Sequence, residues 1–348
     1  MHFATIFQVC KMLYQLCWFL ATCCTFLVNA LWLCCNFASV GIPWLMLFFV
    51  LLCIASKFVK LKSPEDALIM SMLSKNTKTA QGNEPLYWPI MNRGGAFDAP
   101  DNSLAAINQC LVHQCRNILL DLSVTSDGKA IIFHKSSLEK ANINEPVSRL
   151  QSSFFDNFSI TEHHPLGALF QCEMVLTFEK LLKLLETTEF TVFLLASQVS
   201  TNLLDIVCEA AKNSPIFTKR VIFCCSSPST IYRLRREYPE LVCALWMTKH
   251  GFIKMPHFLN TSAILLSIIG AIYRNLIAPV VGISFVFLHK DEFNAQIATL
   301  WNNVGVRPIV YTINSPNEKR YFQQITKTLY VTDSLRSEPQ LIFKSYQK

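Results

Sequence analysis

The fold is decided by a polar stretch that reads Asn92-Arg93-Gly94-Gly95-Ala96-Phe97-Asp98-Ala99-Pro100-Asp101-Asn102-Ser103. It follows directly on a short apolar run, Trp88–Met91, which is typical of a buried strand. An amphipathic stretch, Ser103–Gln114, comes after it, with Asp101-Asn102 as the expected helix cap. A strand, a glycine-containing turn and a helix in this order predict one unit of a parallel α/β fold.

Short apolar runs and helix-like stretches continue to alternate towards the end of the chain. Eight or nine strands in roughly 260 residues predict a TIM-type (β/α)8 barrel, which usually has about 250. An open doubly wound sheet is the alternative, but no Gly-x-Gly-x-x-Gly follows the first strand, so nothing supports dinucleotide binding. The expected strands are Trp88–Met91, Ile118–Leu122, Ala130–Phe133, Phe190–Leu195, Val221–Cys224, Val242–Trp246, Val280–Phe287 and Pro308–Ile313, with Leu329–Val331 as a closing piece. Helices are expected at Phe178–Glu186, Leu203–Lys212 and Glu292–Val304.

The amino end of the chain has the composition of a membrane segment. Met12–Ser56 is a run of 45 positions without a charged residue, whereas one span of a bilayer needs only about 20. The run is therefore long enough for two transmembrane helices folded as a hairpin, and turn-forming residues lie near its middle, at Asn36, Ser39, Gly41 and Pro43. We expect an integral membrane protein with membrane lipids as partners.

These patterns divide the chain into three parts: a membrane anchor over residues 1–61, a polar linker over 62–84 and a barrel over 85–348. A second apolar stretch, Phe258–Tyr273, is too short to span a bilayer comfortably and is interpreted as an outer helix that packs inside or lies against the membrane. The net charge is +7, and four basic residues precede the first acidic one, Glu65. Without these four residues the rest of the chain has only a small net positive charge, which argues against a nucleic-acid partner.

The polar stretch at residues 92–103 resembles the His-Arg-Gly-Gly…Pro-Glu-Asn-Thr signature of the glycerophosphodiester phosphodiesterase family, in particular its membrane-bound animal branch. Further elements follow in the family's order: Leu119-Leu120-Asp121, Thr125-Ser126-Asp127-Gly128, Phe133-His134, Tyr311-Thr312-Ile313-Asn314 and Val331-Thr332-Asp333. The resemblance implies a TIM-type barrel that hydrolyses glycerophosphodiesters to glycerol 3-phosphate and an alcohol. It also implies one divalent metal, Mg²⁺ or Ca²⁺, and two catalytic histidines.

Several positions depart from the family pattern. Asn92 stands where the family has its first catalytic histidine, and an amide cannot titrate. Leu119 replaces the first carboxylate of the family's Glu-x-Asp element, and Lys135 follows His134 where the family has an acid. Leu195 and Ser197 occupy the places of a further metal-binding acid and a lysine. Only Asp121 then remains of three expected carboxylates, which makes a poor site for a hard cation.

By the resemblance, Arg93 and His134 are the candidate catalytic residues, Arg93 and Asn92 bind substrate, and Asp121 is the one metal ligand of an incomplete site. Glu173 or Glu189 is a possible replacement ligand. We expect a phosphoric diester hydrolase of lipid metabolism whose catalysis is weak or lost. The alternative is a pseudoenzyme that binds a glycerophosphodiester, a phospholipid headgroup or a partner protein. A phospholipase C or D of similar architecture is a third hypothesis, against which Asn92 also counts.

Overall fold

The computed structural model describes residues 2–74, 89–248 and 269–336. The chain separates into two units, a helical unit over Met1–Val59 and a second unit over Lys60–Lys348. The second apolar stretch predicted from the sequence lies for the most part outside the described residues.

The first unit is a single α-helix, α1 (His2–Val59), where the sequence predicted two helices and a turn. The residues that suggested a turn are accommodated within the helix. The Asn36 amide donates to the Trp32 carbonyl (3.1 Å), and the Ser39 hydroxyl donates to the Asn36 carbonyl (2.9 Å), so neither side chain competes with the helix. Within α1, the segment Lys11–Val59 has a mean hydropathy of 2.4 and is long and apolar enough to cross a membrane.

The second unit is a closed parallel barrel, as predicted, and not an open doubly wound sheet. Among the described residues, eight parallel strands pair in the order β1-β10-β9-β8-β7-β6-β5-β2, and pairing of β2 with β1 closes the ring. The strands are β1 (Ile90–Asn92), β2 (Asn117–Val124), β3 (Ala130–Ile132), β4 (Leu176–Thr177), β5 (Thr191–Ala196), β6 (Val221–Cys225), β7 (Val242–Trp246), β8 (Phe285–His289), β9 (Arg307–Tyr311) and β10 (Leu329–Thr332).

Two predicted strands differ from the structure. Ala130–Phe133 was expected in the parallel series, but β3 runs antiparallel to the far half of β2 and pairs with β4 outside the barrel. The chain reverses there because Gly128 adopts a left-handed φ of 82°. Val280–Phe287 was also expected as one strand, but its first residues are helical. The helix ends at Gly282, again with a left-handed φ (68°), and β8 starts at Phe285.

The helices after α1 pack mainly around the barrel. Ser103, rather than the predicted Asp101-Asn102 pair, caps the first of them, because its hydroxyl accepts the Ala106 N–H. Tyr273–Ile277 and Tyr321–Ile325 are single π-helical turns. The α-helices are α2 (Asp66–Ser74), α3 (Leu104–Val112), α4 (Lys135–Lys140), α5 (Ser152–Asp156), α6 (Phe178–Thr187), α7 (Thr201–Asn213), α8 (Pro215–Arg220), α9 (Pro228–Glu237), α10 (Ala278–Val281), α11 (Ala295–Asn303) and α12 (Pro316–Arg320).

Helix α2 lies within the predicted linker and closes the barrel at the end where the strands begin. Ile69 and Met72 are buried against the side chains that fill the barrel interior. The Thr191 hydroxyl, at the start of β5, donates to the Met72 carbonyl (2.8 Å), and Arg307, at the start of β9, pairs with Asp66 (3.1 Å). Helix α2 thus contributes to the barrel's core. The sequence did not indicate this, because the residues around α2 are polar and suggested a linker.

Two methionines on α2 test this packing. Met72 is 4% exposed, whereas Met70, two residues away, is 42% exposed. Truncating a buried methionine to alanine costs about 2–5 kcal/mol, so Met72→Ala should lower the free energy of unfolding by that amount. Met70→Ala is the matched control and should change it by less than about 1 kcal/mol. Equal effects in chemical denaturation of the two variants would contradict the assignment of α2 to the core.

Candidate functional site

A polar cavity of about 200 Å³ lies at the carboxyl ends of the barrel strands. This is the end at which the (β/α)8 architecture places chemistry, because the loops after the strands converge there. The four predicted site residues, Asn92, Arg93, Asp121 and His134, all line it. The other lining residues are Leu195, Ser197, Trp246, Tyr311, Thr312, Val331 and Asp333.

The centre of this cavity is an ion pair between Arg93 and Asp121. The Arg93 Nε donates to Asp121 Oδ2 at 2.8 Å, and the same oxygen accepts the Asn102 amide at 3.2 Å. The side-chain oxygen Oδ1 of Asn102 in turn accepts the Asp121 backbone N–H (3.1 Å). Asp121 is 4% exposed, so its charge is balanced almost entirely by protein groups rather than by water.

The local backbone directs Arg93 towards Asp121. Arg93 follows the end of β1 and adopts a left-handed φ of 52°, and its N–H donates to the Leu119 carbonyl on β2 (2.7 Å). A non-glycine residue in this region carries strain. The side chain also donates from Nη1 to the Ser136 hydroxyl (3.1 Å). Arg93 therefore joins β1, β2 and the start of α4.

Asn92 belongs to a second network of amides around Asp333. The Asn92 amide donates to Asp333 Oδ1 (2.7 Å), and the Asn314 amide donates to Asp333 Oδ2 (2.7 Å). The side-chain oxygen Oδ1 of Asn314 accepts the Asp333 backbone N–H (2.8 Å). Both carboxylate oxygens of Asp333 are thus engaged by neutral donors, which hold the loops after β1, β9 and β10 together.

His134 follows β3 and caps the amino terminus of α4. The Ser136 N–H donates to His134 Nδ1 (3.1 Å), and the Ser136 hydroxyl lies 2.8 Å from the same nitrogen. Because Nδ1 accepts a hydrogen bond, we assign the proton of the neutral ring to Nε2. Burial lowers the pKa of this imidazole, and the attraction of Asp121 opposes the shift only in part. The neutral ring is therefore favoured.

One wall of the cavity is aromatic. The Trp246 and Tyr311 rings stack with centroids 4.7 Å apart, and the His289 ring meets Tyr311 edge-on at 5.2 Å. The Tyr311 hydroxyl donates to the Met247 carbonyl (2.9 Å). Burial, assisted by the charge of Glu292, raises the pKa of Tyr311 to about 12, so the phenol remains protonated at neutral pH.

These side chains do not fit the divalent metal that the resemblance implies. No group of three or more His, Cys, Asp or Glu side chains suited to a metal ion occurs among residues 2–74, 89–248 and 269–336. Asp121 is committed to Arg93 and Asn102. Glu189 precedes β5 and pairs with Arg116 (3.4 Å) at the opposite end of the barrel, and Glu173 does not line the cavity. Neither replacement ligand proposed from the sequence is therefore placed to bind a metal at this site.

A larger cavity, of about 630 Å³, lies outside the barrel between the β2–β3 hairpin and helices α6 and α7. It contains none of the four predicted site residues. Its carboxylates are Asp156, Glu179, Glu186 and Glu209. We take the smaller cavity as the candidate site because it gathers side chains from several strands at the barrel's carboxyl end.

The sequence prediction gave no role in the site to Asn102, Asn314 and Asp333, although each lies in a motif that carries the resemblance. Their function in the structure is to accept and donate hydrogen bonds around the site. Trp246 could have been found as the last residue of a predicted strand, at the end where site residues collect. Ser136 gave no sequence signal, because serine beside a histidine is common in helix caps.

The fold and the site together define a TIM-barrel protein with a polar cavity at the carboxyl ends of its strands. The model of the glycerophosphoryl diester phosphodiesterase family matches residues 93–336, and the chain belongs to that family. It is 25% identical over 258 residues to glycerophosphodiester phosphodiesterase 1 of Bos taurus, covering 71% of this chain and 77% of the bovine protein. The human protein of the same name is 24% identical over 260 residues, with the same coverage.

Solved structures support the fold at lower sequence identity. An Oleispira antarctica phosphodiesterase, in complex with the product sn-glycerol-3-phosphate, aligns with a TM-score of 0.55 and 14% identity over 76% of this chain and 98% of its own. Glycerophosphodiester phosphodiesterase from Agrobacterium tumefaciens aligns with a TM-score of 0.55 and 15% identity over 73% of this chain and 99% of its own. At these identities the comparison establishes the barrel architecture alone.

The lowered pKa of His134 predicts a pH dependence of stability. The unfolded chain, with an imidazole pKa of about 6.5, binds a proton more readily than the folded chain does. The free energy of unfolding should therefore decrease as the pH falls below about 6.5. This decrease should be smaller in His134→Gln, as measured by urea denaturation over a pH series. A ring resonance of His134 that titrates at or above the ordinary value would contradict the prediction.

Proposed function

We propose that this chain is a membrane-anchored member of the glycerophosphodiester phosphodiesterase family that binds a glycerophosphodiester or phospholipid headgroup with weak or lost hydrolysis. The observation that carries the proposal is the engagement of Asp121 by Arg93 and Asn102. Of the two carboxylates that line the cavity, Asp121 is neutralised by a guanidinium and Asp333 accepts hydrogen bonds from two amides.

A divalent cation at Asp121 would compete with this ion pair. Coordination of Mg²⁺ or Ca²⁺ requires about six or more oxygen ligands, usually with several carboxylates among them. Here Leu195 lines the cavity and Leu119 is buried beside it on β2, where the resemblance implies acids. A cation would have to displace Arg93 without gaining these ligands, which favours the ion pair over the metal.

Proton transfer is impaired as well. Asn92 cannot act as an acid or base, and its amide is held by Asp333. His134 is then the one imidazole that lines the cavity, and burial lowers its pKa. One positioned general acid or base typically contributes about 10²–10⁴-fold to a rate, so the loss of one of two leaves hydrolysis slow even if the phosphodiester binds.

Binding of a phosphate-bearing group requires hydrogen-bond donors in the site, but not the metal ion or the proton transfer that hydrolysis requires. Arg93 uses Nε and Nη1 for the protein contacts described above, so Nη2 can donate to a phosphoryl oxygen. Nε2–H of His134 and the second amide hydrogen of Asn92 are further donors. These three groups line one cavity, which supports a headgroup-sized ligand.

The anchor is proposed to be α1. Its apolar length exceeds the requirement for one span, and Lys57, Lys60 and Lys62 follow the apolar run, as basic residues commonly do at a membrane boundary. Integral attachment would keep the barrel next to a lipid surface, the source of glycerophosphodiesters.

The proposal is tested with the purified full-length chain in detergent. Calorimetry should detect binding of sn-glycerol 3-phosphate or glycerophosphocholine, whereas assays with Mg²⁺, Ca²⁺ or Mn²⁺ should show little or no turnover. Arg93→Lys keeps the charge beside Asp121 but removes the planar fork, and should weaken binding about tenfold or more. Arg149→Lys, an exposed arginine outside the cavity, is the matched control.

A variant that carries the family's residues at two site positions distinguishes lost catalysis from activity in the native chain. Turnover only by Asn92→His combined with Leu119→Glu would support loss of catalysis on an intact scaffold. Metal-dependent turnover by the native chain that His134→Ala abolishes would overturn the proposal in favour of an active enzyme. Absence of any ligand binding by the native chain would instead favour a role in protein interaction.

A further inference from the structure

A third cavity, of about 290 Å³, lies at the end of the barrel where the strands begin. It is bounded by α2, by α8 and by the residues that precede β2, β5 and β6, which are neighbouring strands of the ring. Its volume corresponds to roughly ten water molecules, and ligand pockets start at about 300 Å³. The cavity therefore has the size of a small organic molecule, and none of the four predicted site residues lines it.

Three cations line this cavity, against one carboxylate. The cations are Arg116, Lys219 and Arg220, and the carboxylate is Glu189. Arg116 Nη1 lies 3.4 Å from Glu189 Oε2, but both side chains are more than a third exposed, so this ion pair contributes little. The lining residues thus carry an excess of positive charge, which is complementary to an anion.

Two of these cations keep donors for a ligand. Arg220 Nη1 donates to the carbonyls of Leu185 (3.0 Å) and Thr188 near the end of α6, whereas its Nε and Nη2 bind no residue in the described part of the chain. The Lys219 ammonium also has no partner among the residues that the structure describes. Nε and Nη2 form one edge of the guanidinium, and such an edge can bind a phosphate or carboxylate through two parallel hydrogen bonds.

The rest of the lining is mostly apolar. Leu68 and Met72 come from α2, Phe190 precedes β5 and Ile216 belongs to α8. Phe190 and Met72 are buried, whereas Leu68 and Ile216 are half-buried and can be covered further. Covering them stabilises a complex only if the ligand has an apolar part beside its anionic group.

The wall that α2 contributes is held by contacts within the protein. Arg235, at 1% exposure, donates from Nη2 to the carbonyls of Lys62 (2.7 Å) and Pro239 (2.9 Å), which fixes the chain just before α2. Near the end of α2, the Thr191 hydroxyl donates to the Met72 carbonyl (2.8 Å). The cavity is therefore preformed, and binding does not require α2 to become ordered.

We propose that this cavity binds a small amphipathic anion, that is, a phosphate or carboxylate group with a short apolar chain or ring. Lys219 and the Nε and Nη2 groups of Arg220 bind the anionic group, with Arg116 beside them, and the apolar part lies against Leu68 and Ile216. Because the lining comes from several elements, the ligand joins α2 to α8 and to the strand starts and stabilises the folded barrel. This inference depends neither on the chemistry at the barrel mouth nor on anchoring by α1.

Calorimetry on the full-length chain in detergent tests the ligand chemistry. Butyl phosphate should bind and should raise the midpoint of thermal unfolding, because it binds the folded state. Inorganic phosphate and 1-butanol, which each supply one part of the ligand, should bind several-fold more weakly. Equal affinity for either of them, or no binding of butyl phosphate, would overturn the proposal.

Substitutions of the lining charges should have effects of opposite sign. Lys219→Gln removes a cation without a protein partner and should weaken binding of butyl phosphate about two- to fivefold, as expected for an exposed ion pair. Glu189→Gln removes the carboxylate and should strengthen binding. The matched control is Lys180→Gln, at an exposed lysine in the first turn of α6 that does not line the cavity. Equal effects of the two lysine substitutions would contradict the assignment.

The variant Arg93→Lys distinguishes this site from the barrel mouth. Butyl phosphate should still bind to Arg93→Lys, and adding Lys219→Gln should weaken that binding as it does in the native chain. Loss of all binding in Arg93→Lys would place the ligand at the barrel mouth and overturn the inference. Failure of sn-glycerol 3-phosphate to bind the native chain, with butyl phosphate binding retained, would refute the proposed function alone.

The same anionic chemistry occurs in dissolved molecules and in the headgroups of acidic lipids. Short-chain lipids distinguish these two sources by competition with butyl phosphate. Displacement by dihexanoyl phosphatidic acid would support a lipid headgroup, and absence of displacement would support a dissolved anion, with the ligand chemistry upheld in both cases. Equal displacement by zwitterionic dihexanoyl phosphatidylcholine would contradict the requirement for an anion.

Discussion

The ion pair between Arg93 and Asp121 is the interaction on which the site depends. Asp121 is buried, and removing one partner of a buried pair typically costs about 3–5 kcal/mol because the other charge is left uncompensated. Asn102 strengthens the arrangement by donating to the same carboxylate oxygen and accepting the Asp121 N–H. The two charges neutralise each other in the folded protein, so the Asp121 carboxylate is not available to a cation, whereas Arg93 keeps Nη2 for a further acceptor.

The other polar groups that line the cavity are also hydrogen-bonded to protein groups. Asp333 is engaged by two amides, from Asn92 and Asn314, and His134 Nδ1 is engaged by Ser136. A metal-dependent hydrolase needs carboxylates that are held ready for an ion and imidazoles that can exchange protons. In this chain the polar groups are mostly committed to one another. The polar groups of the site therefore form a hydrogen-bond network in which each carboxylate is paired with protein donors.

The sequence predicted the barrel well where burial alone decides structure. Strands β5, β6 and β7 are apolar runs buried on both faces, and their bounds agree with the predictions to within one or two residues. The predicted elements were wrong where tertiary contacts decide the local structure. Periodicity could not tell that β3 turns back on β2, or that Ala278–Val281 is helical. Helix α2 was hidden by polar neighbours, since only packing into the open end of the barrel buries Ile69 and Met72.

Only part of the site could be predicted from the sequence, again because tertiary contacts decide the rest. Motif spacing placed Asn92, Arg93, Asp121 and His134 at one barrel mouth, and they do line one cavity. Their roles stay predictions. The partners that decide those roles, such as Asn102 for Asp121 and Asp333 for Asn92, come from loops that are distant in the chain. Which acceptor an amide chooses depends on loop geometry, and residue type and spacing do not specify it.

The two ends of the barrel differ in what their residues do. The chain enters where the strands begin, at the clamp that Arg235 forms around Lys62, whereas the candidate site lies where the strands end. This separation follows from a property of parallel barrels, in which residues at the amino-terminal end serve stability and those at the carboxyl end serve chemistry. The loops at the carboxyl end can therefore change without disturbing the contacts of Arg235 that hold the other end. Asn92 and Arg93 lie at the carboxyl end, whereas Ile69 and Met72 close the barrel at the other.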